Sequence, residues 1–151
     1  MINEKLAEMG IEIPTPGAPA GAYVHAARTG NVVYTSGQLP SKNGEFVATG
    51  KVPTDSSLDE AYAAARQAVL NALGAVKSEI GDLENITRII RINVFVNSAE
   101  GFTQQANVAN GASELLVELF GDAGKHTRCA VGMAELPLNV AVELDLICEV
   151  K

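Results

Sequence analysis

Apolar residues recur at steps of three and four in two stretches of the 151-residue chain, and this spacing predicts two amphipathic helices. The first begins at the capping box Ser57-Leu58-Asp59-Glu60 and ends before Gly81. The second runs from about Ala106 to Phe120 and is also followed by a glycine. A shorter helix is predicted from Glu4 to Met9.

Alternation of apolar and polar residues predicts the strands, and it is clearest near the carboxyl end, where apolar positions from Val140 to Val150 alternate with Glu143, Asp145 and Glu149. The predicted strands cover about Tyr23–Ala27, Asn31–Ser36, Ile86–Val96, Thr127–Glu135 and Val140–Val150. The two long helices separate these groups of strands. We therefore predict an α+β fold in β-β-α-β-α-β-β order, with one mixed β-sheet and both helices packed on one of its faces.

The amino-terminal segment differs in composition from the rest of the chain. Ile13-Pro14-Thr15-Pro16-Gly17-Ala18-Pro19 suits neither helix nor strand because of its three prolines. We interpret residues 1–20 as an extension that ends in a proline-rich connector, and residues 21–151 as a single domain. A chain of this length is not expected to hold a second one.

The strand predicted from Thr127 to Glu135 suggests a binding surface. Its apolar side chains are predicted to face the helices: Cys129, Val131 and Met133. The alternate positions are predicted to face away from them: Arg128, Ala130, Gly132 and Ala134. The β-branched residues before the second helix are assigned to the helix-covered side: Ile86, Ile90, Ile92, Val94 and Val96. A long cation beside small side chains leaves room for a ligand or a second chain, so we expect the helix-free face to be an oligomer interface.

Composition excludes several classes of function. The 18 acidic and 11 basic residues give a net charge of -7, which disfavours binding to nucleic acid. No apolar run suits a signal peptide or a membrane span, so a cytoplasmic protein with Cys129 and Cys148 reduced is expected. His25 and His126 are too few for a metal site, and no glycine-rich nucleotide motif occurs, so we expect no cofactor.

Four residues are candidates for a site, and each has an ordinary structural interpretation beside the functional one. Arg128 could hold a carboxylate by two parallel hydrogen bonds, or could be a solvated surface charge. Glu143 could be a general acid/base, or a plain exposed strand residue. Tyr23 could bind substrate through its hydroxyl, or simply pack at the start of a strand. Gly37 fits a turn in the backbone better than a ligand site.

Several short segments together make the chain resemble the RidA family, also called YjgF or endoribonuclease L-PSP. They are the segment around Tyr23, Thr35-Ser36-Gly37-Gln38-Leu39-Pro40, Asn93-Val94-Phe95-Val96, and the ending Arg128-Cys129-Ala130-Val131 with Pro137 and Val142-Glu143. The resemblance covers Tyr23 to Val150. It implies a chorismate-mutase-like fold and a homotrimer packed through its sheet faces, with small-ligand sites at the subunit interfaces.

The resemblance also implies hydrolysis of reactive enamine or imine acids such as 2-aminoacrylate to 2-keto acids and ammonia. Arg128 would hold the carboxylate, Glu143 would position the attacking water, and Tyr23 would hydrogen-bond the ligand. Asn110, chosen over Asn107, matches an asparagine that the family uses on the second helix. One departure is that the family's cysteine two residues after the arginine is an alanine in this chain.

Two other functions stay open at this point. A metabolite-binding or sensing protein would use Arg128 to hold a small carboxylate without chemistry, and the older family name suggests a ribonuclease, which the net charge disfavours. If the last two strands form a simple hairpin with Glu135 opposite Val140, Glu143 lies about 13 Å along the strand from Arg128. We therefore predict that the working site combines Arg128 of one subunit with Glu143 of its neighbour.

Overall fold

The computed structural model describes residues 1–151, and it contains three α-helices and seven strands. The helices are α1 (Ile2–Glu8), α2 (Leu58–Ile80) and α3 (Gln105–Phe120). The strands are β1 (Ala26–Thr29), β2 (Val32–Thr35), β3 (Ser41–Lys42), β4 (Glu45–Phe46), β5 (Ile86–Asn97), β6 (Thr127–Met133) and β7 (Val142–Val150). Short 3₁₀ turns span Leu83–Asn85, Gly121–Gly124 and Pro137–Asn139.

Five strands form one mixed sheet in the order β1-β2-β7-β5-β6, and β3 and β4 form a separate hairpin. Only the pair β5–β6 is parallel. Helix α2 lies over β1, β2 and β7, whereas α3 lies over β5 and β6. The predicted class is confirmed: one mixed sheet carries both long helices on the same face, in the predicted order of strands and helices.

The hairpin expected between the last two strands does not form. β5 lies between β6 and β7, parallel to the first and antiparallel to the second. The segment joining β6 to β7 therefore crosses over β5, and it includes the turn Pro137–Asn139. The assumption of a simple hairpin was wrong because neighbours in the sequence need not be neighbours in a sheet, and the long apolar strand β5 pairs on both of its edges.

The signals at the ends of α2 act as predicted. The Ser57 hydroxyl accepts from the Glu60 amide at 3.1 Å, while the Glu60 carboxylate accepts from the Ser57 amide at 3.2 Å. These two bonds satisfy amide groups that have no partner within the helix. Gly81 ends α2 with a φ of 86°, a left-handed conformation that costs glycine little.

The core is a continuous cluster of 33 buried residues between the helices and the sheet, and apolar side chains of the amino-terminal segment as far as Ile13 pack on it. Leu6 of α1 is 6% exposed, and Ile11 and Ile13 contact the same cluster. The connector crosses α2 so closely that a Cβ at Gly74 would collide with the Pro14 carbonyl. Helix α2 is therefore buried on more than the single face that its spacing predicts, because the extension covers part of its outer side.

Strand boundaries differ from the prediction mainly at the first strand. β1 begins at Ala26, so Tyr23 precedes the sheet. β1 and β2 pair with Thr29 opposite Val32, which leaves Gly30 and Asn31 as the turn between them. The small β3–β4 hairpin was not predicted, although its turn is Asn43-Gly44, both with positive φ, which is a typical hairpin signal.

Irregular pairing in β5 changes which isoleucine is buried. The β5–β7 register shifts between Ile86 and Arg88 and again between Ile89 and Arg91. Ile89 is consequently buried, and Ile90, predicted to face the helices, is only half-buried. A strict alternation along the strand cannot anticipate such bulges.

None of the helices has both the length and the apolar sequence needed to cross a bilayer.

The contact between α2 and α3 depends on Gly111. A Cβ at this position would collide with the backbone carbonyl of Tyr62 on α2. We expect Gly111→Ala to lower the free energy of unfolding by about 1–3 kcal/mol, although alanine is the better helix former. Urea denaturation measures this, with Gly17→Ala as the control because space around Gly17 is open. An unchanged or higher stability of Gly111→Ala would contradict the close packing of the helices.

Candidate functional site

Arg128 lies in the edge strand β6 and points toward α3, not away from the helices as predicted. It pairs with Ile92 of β5, and the next pairs along the ladder are Ala130 with Val94 and Gly132 with Val96. Because paired residues share a face and these three β5 residues are fully buried under the helices, the even-numbered residues of β6 are on the helix side. The prediction assumed that the larger apolar residues of β6 must face the helices.

The guanidinium of Arg128 is held by two neutral oxygens. Its Nη1 donates to Asn110 Oδ1 at 2.9 Å and to Ser113 Oγ at 3.1 Å. Asn110 and Ser113 are three residues apart on α3, so they share one face of the helix. The structure thus brings together Arg128 and Asn110, two of the predicted site residues.

The rest of the guanidinium has no partner within the chain. Nε and Nη2 of Arg128 make no hydrogen bond, and no carboxylate forms an ion pair with it. These two nitrogens form one edge of the planar group, which matches the two oxygens of a carboxylate. Arg128 is half-buried, its Nη1 is tethered, and its Nε–Nη2 edge is open.

His126 lies next to the hydrogen bonds that hold Arg128. From the sequence it was considered only as a metal ligand. Its Nε2 lies 2.9 Å from Ser113 Oγ, and its Nδ1 lies 2.6 Å from the Gly124 carbonyl. Burial lowers the pKa of His126, and the charge of Arg128 lowers it further, against the opposing effect of the Gly124 hydrogen bond. Residues two apart in an extended segment lie on the same face, so the position of His126 two residues before Arg128 already indicated that their side chains share a face.

Glu143 of β7 is half-buried on the helix-free face of the sheet. It pairs with Phe95 of β5, and its carboxylate lies against Gly37, where an added Cβ would collide with it. Burial raises the pKa of Glu143, and the nearby charge of Asp145 raises it further. Such a carboxylate is a better proton acceptor than an exposed one.

One chain does not bring Arg128 and Glu143 together. Arg128 is level with Ile92 and Glu143 with Phe95, three residues farther along β5. The separation is roughly 10 Å along the strands and roughly 10 Å across two strand spacings. Ile92 and Phe95 are three residues apart in β5, and side chains an odd number apart along a strand point to opposite faces. Their partners Arg128 and Glu143 are therefore on opposite sides of the sheet.

Tyr23 does not lie beside Arg128. It precedes β1, the edge of the sheet opposite β6, and its side chain is 51% exposed. Its ring packs edge-on against His25, with the ring centroids 6.5 Å apart. A groove of about 990 Å³ between the connector and α2 contains neither Arg128 nor Glu143.

The helix-free face carries exposed apolar side chains beside its polar groups. Tyr34 of β2 is 48% exposed and Val131 of β6 is 42% exposed. A polar row crosses β7, β5 and β6: Asn93 Nδ2 donates to Asp145 Oδ1 at 2.8 Å, and Arg91 Nη2 donates to Cys129 Sγ at 3.0 Å. No helix of this chain covers these residues.

A family model described as "YjgF/chorismate_mutase-like, putative endoribonuclease" matches residues 3–150, nearly the whole chain. The chain belongs to the YjgF family. This confirms the resemblance stated from the sequence, together with the chorismate-mutase-like fold. The match includes the amino-terminal segment that the sequence analysis set apart as an extension.

The relatives of this chain include a protein named as a deaminase and a protein of unknown function. Protein TCP17 of Trypanosoma cruzi is 41% identical over 149 residues, covering 98% of this chain and 93% of that protein. The 2-iminobutanoate/2-iminopropanoate deaminase of Escherichia coli is 31% identical, covering 92% of this chain and 97% of that protein. The crystal structure of protein Atu1372 from Agrobacterium tumefaciens, of unknown function, has a TM-score of 0.92 at 42% identity, covering 99% of this chain and 92% of that one.

The YjgF family's cysteine two residues after the arginine is Ala130 in this chain, and the structure shows what replaces it. Ala130 is half-buried on the Arg128 side of the sheet, so no thiol stands beside the guanidinium. Cys129 is exposed on the other face, as the alternation predicts relative to Arg128. The polar neighbours of Arg128 in this member come from α3 and from His126 instead.

Glu143→Gln is expected to stabilise the protein at pH 7. The pKa of Glu143 is raised on folding, so the folded state resists ionisation, and stability falls as pH rises from the ordinary value of 4.5 through the higher folded value. Glutamine removes this cost. Melting temperatures should show the variant more stable than the parent at pH 7, with the difference closing below pH 4. Glu149→Gln, exposed on the same strand, is the control; a Glu143→Gln difference that does not depend on pH would contradict this interpretation.

Proposed function

We propose that this protein hydrolyses reactive 2-imino acids and their enamine tautomers to 2-keto acids and ammonia. The observation that carries the proposal is the open Nε–Nη2 edge of Arg128, beside a tethered Nη1 and without an acidic partner. An arginine whose counter-charge is absent from its own chain is suited to hold the carboxylate of a ligand. The deaminase name of the Escherichia coli relative supports the same chemistry.

We propose further that the site is shared between subunits of a homotrimer. Arg128 and Glu143 are on opposite faces of one sheet, so a ligand in contact with both needs Glu143 from a second copy. The exposed Tyr34 and Val131 on the helix-free face support packing of that face against another subunit. Light scattering should give the mass of a trimer, and a monomer at micromolar concentration would contradict the assembly.

Glu143 would position and deprotonate the attacking water. Water adds to the C2 carbon of the iminium and a proton passes to the Glu143 carboxylate. The carboxylate returns this proton to the nitrogen of the carbinolamine; as the C–N bond breaks, ammonia leaves, and the hydroxyl proton passes to it as the keto acid forms. The products are the keto acid and ammonium. A carboxylate whose pKa is raised by burial accepts a proton more readily than an ordinary one, which supports this role. Tyr23, exposed in the single chain, is proposed to hydrogen-bond the ligand across an interface.

A carboxylate-binding protein without turnover is the second candidate. The observation that favours it is that a single chain provides the anchor, Arg128 with Asn110 and Ser113, but no base beside it. Such a protein would bind a 2-keto acid and leave imine hydrolysis unchanged. Ribonuclease activity is the least supported candidate, because the chain has a net charge of -7.

The test is a coupled assay. A pyridoxal-phosphate dehydratase generates 2-aminoacrylate or 2-iminobutanoate, and keto-acid formation is followed with and without this protein. Calorimetry with 2-oxobutanoate measures binding separately. Faster keto-acid release supports the deaminase, binding without acceleration identifies a carboxylate-binding protein, and the absence of both overturns the assignment to Arg128.

A further inference from the structure

The geometry points to His126 as the positioning residue of the Arg128 anchor, acting through Ser113. The inference rests on the proposed function only for the nature of the ligand, a small carboxylate. Three side chains form a continuous chain of hydrogen bonds: Arg128 Nη1 to Ser113 Oγ at 3.1 Å, and Ser113 Oγ to His126 Nε2 at 2.9 Å. Nothing in the family resemblance assigns a role to either Ser113 or His126.

The direction of each hydrogen bond follows from the chemistry of the groups. The Gly124 carbonyl only accepts, so His126 Nδ1, 2.6 Å away, carries a hydrogen. Arg128 only donates, so Ser113 Oγ accepts from it and its own hydrogen points to Nε2 of a neutral imidazole. Every proton in the chain of bonds is thereby assigned. His126 orients the serine hydroxyl, and the oriented hydroxyl helps to hold Nη1 against α3.

The open edge of Arg128 depends on this arrangement. Nη1 has two hydrogens, one taken by Asn110 and the other by Ser113. With both engaged, the guanidinium plane has little freedom to rotate, and the Nε–Nη2 edge stays available for a ligand. A tethered group loses less conformational entropy on binding than a free side chain does. Ser113 and His126 thus preorganise the anchor without needing to contact the ligand themselves.

Other charged groups around His126 are already engaged. In the preceding 3₁₀ turn, Lys125 pairs with Asp122 at 2.8 Å. On α3, Glu114 accepts from the Tyr62 hydroxyl, and Glu118 lies 4.0 Å from Arg66. On the neighbouring strand β5, Arg91 is bonded on the helix-free face, to Asn93 and Cys129. Arg128 is the charged group that acts on His126, and its charge lowers the pKa of the imidazole.

Carboxylate binding and protonation of His126 should be coupled. A bound carboxylate offsets the positive charge that disfavours the imidazolium, so His126 takes up a proton more readily in the complex. Linkage requires the converse, that the carboxylate binds more tightly when His126 is protonated. The serine oxygen has two lone pairs and can then accept from both cations. We expect the affinity for 2-oxobutanoate to rise about three- to tenfold from pH 8 to pH 5, as expected for opposite charges several ångströms apart near a surface.

The experiment measures 2-oxobutanoate binding at pH 8 and pH 5 by calorimetry, in two buffers that differ in ionisation enthalpy to count protons. Wild-type protein should take up protons on binding. His126→Gln keeps an acceptor for Ser113 and cannot titrate, so it should bind at pH 8 within about threefold of wild type and show a smaller pH dependence, the part that remains being due to Glu143. Ser113→Ala should bind at least about fivefold more weakly at pH 8, since one tether of Arg128 is gone. His25→Gln, at the only other histidine, is the control.

Proton uptake as large in His126→Gln as in wild type, or unchanged affinity in Ser113→Ala, would overturn the inference. Nuclear magnetic resonance of the imidazoles gives a readout that does not depend on the ligand. It should show the Nδ1–H tautomer of His126, and a pKa of His126 that rises in Arg128→Gln. The opposite tautomer or an unmoved pKa would overturn the positioning role. If wild-type protein binds no 2-oxobutanoate but the resonances behave as expected, the proposed function fails and the hydrogen-bond chain stands.

Discussion

Arg128→Lys is expected to weaken 2-oxobutanoate binding about 10- to 100-fold, even though the positive charge is kept. Lysine offers a point charge and cannot present two parallel donors in one plane. It also cannot span Asn110, Ser113 and a ligand at once with the same geometry. A lost hydrogen bond between charged partners corresponds to about 1.5–3 kcal/mol, which sets the expected range.

Calorimetric titration of the parent and the variant measures this effect. Arg88→Lys is the matched control, because Arg88 is an exposed arginine of β5 without a hydrogen-bond partner. The melting temperature of Arg128→Lys should stay close to that of the parent, which separates binding from folding. Equal affinity of the parent and Arg128→Lys would show that Arg128 is only a surface cation.

Mixing two inactive variants should restore deaminase activity. Arg128→Ala protein retains Glu143, and Glu143→Ala protein retains Arg128. In trimers re-formed from equal amounts, an interface that takes Arg128 from the second variant and Glu143 from the first is intact. Random assembly gives about one intact site in four, so we expect roughly a quarter of the parent's activity where neither variant alone has any.

The mixing experiment requires proof that the subunits exchanged. Native mass spectrometry on differently tagged variants provides it, and each variant carried through the same exchange alone is the control. A double variant, Arg128→Ala with Glu143→Ala, mixed with Arg128→Ala should recover nothing. Verified mixed trimers without activity would mean that the two residues do not share a site, and the separation across the sheet would then favour the carboxylate-binding protein.

The expectations that held from the sequence are those set by local chemistry. The capping box at Ser57 and Glu60 begins α2 as predicted, since it needs only residues three apart. The structure shows Asn110 bonded to Arg128 and Asn107 bonded to Gln104 at the exposed start of α3, but which asparagine is the family's stays a prediction. The role of Asn110 toward a ligand stays a prediction as well.

The prediction of which side of β6 faces the helices was wrong. Alternation correctly placed Arg128 and Cys129 on opposite sides, but the rule that larger apolar residues face the helices assigned both sides wrongly. Val131 stays 42% exposed, while Gly132 lies against Ser98 and Gln105. Alternation tells which residues share a face, and only the packing of α3 tells which face is covered.

By itself the sequence determined the ends of the long helices, the existence of the main strands, and the identity of Arg128 and Glu143 as the charged residues to examine. The helix ends and the strands follow from interactions between residues close in the chain, whereas Arg128 and Glu143 were singled out by their positions on predicted strands and by the family resemblance. The tertiary structure alone decided that β5 enters between β6 and β7, that Arg128 is tethered by α3 and His126, and that Glu143 is on the opposite face. Each of these depends on pairing between segments distant in the chain, and such pairing is selected by the packing of the whole core, which no local pattern encodes.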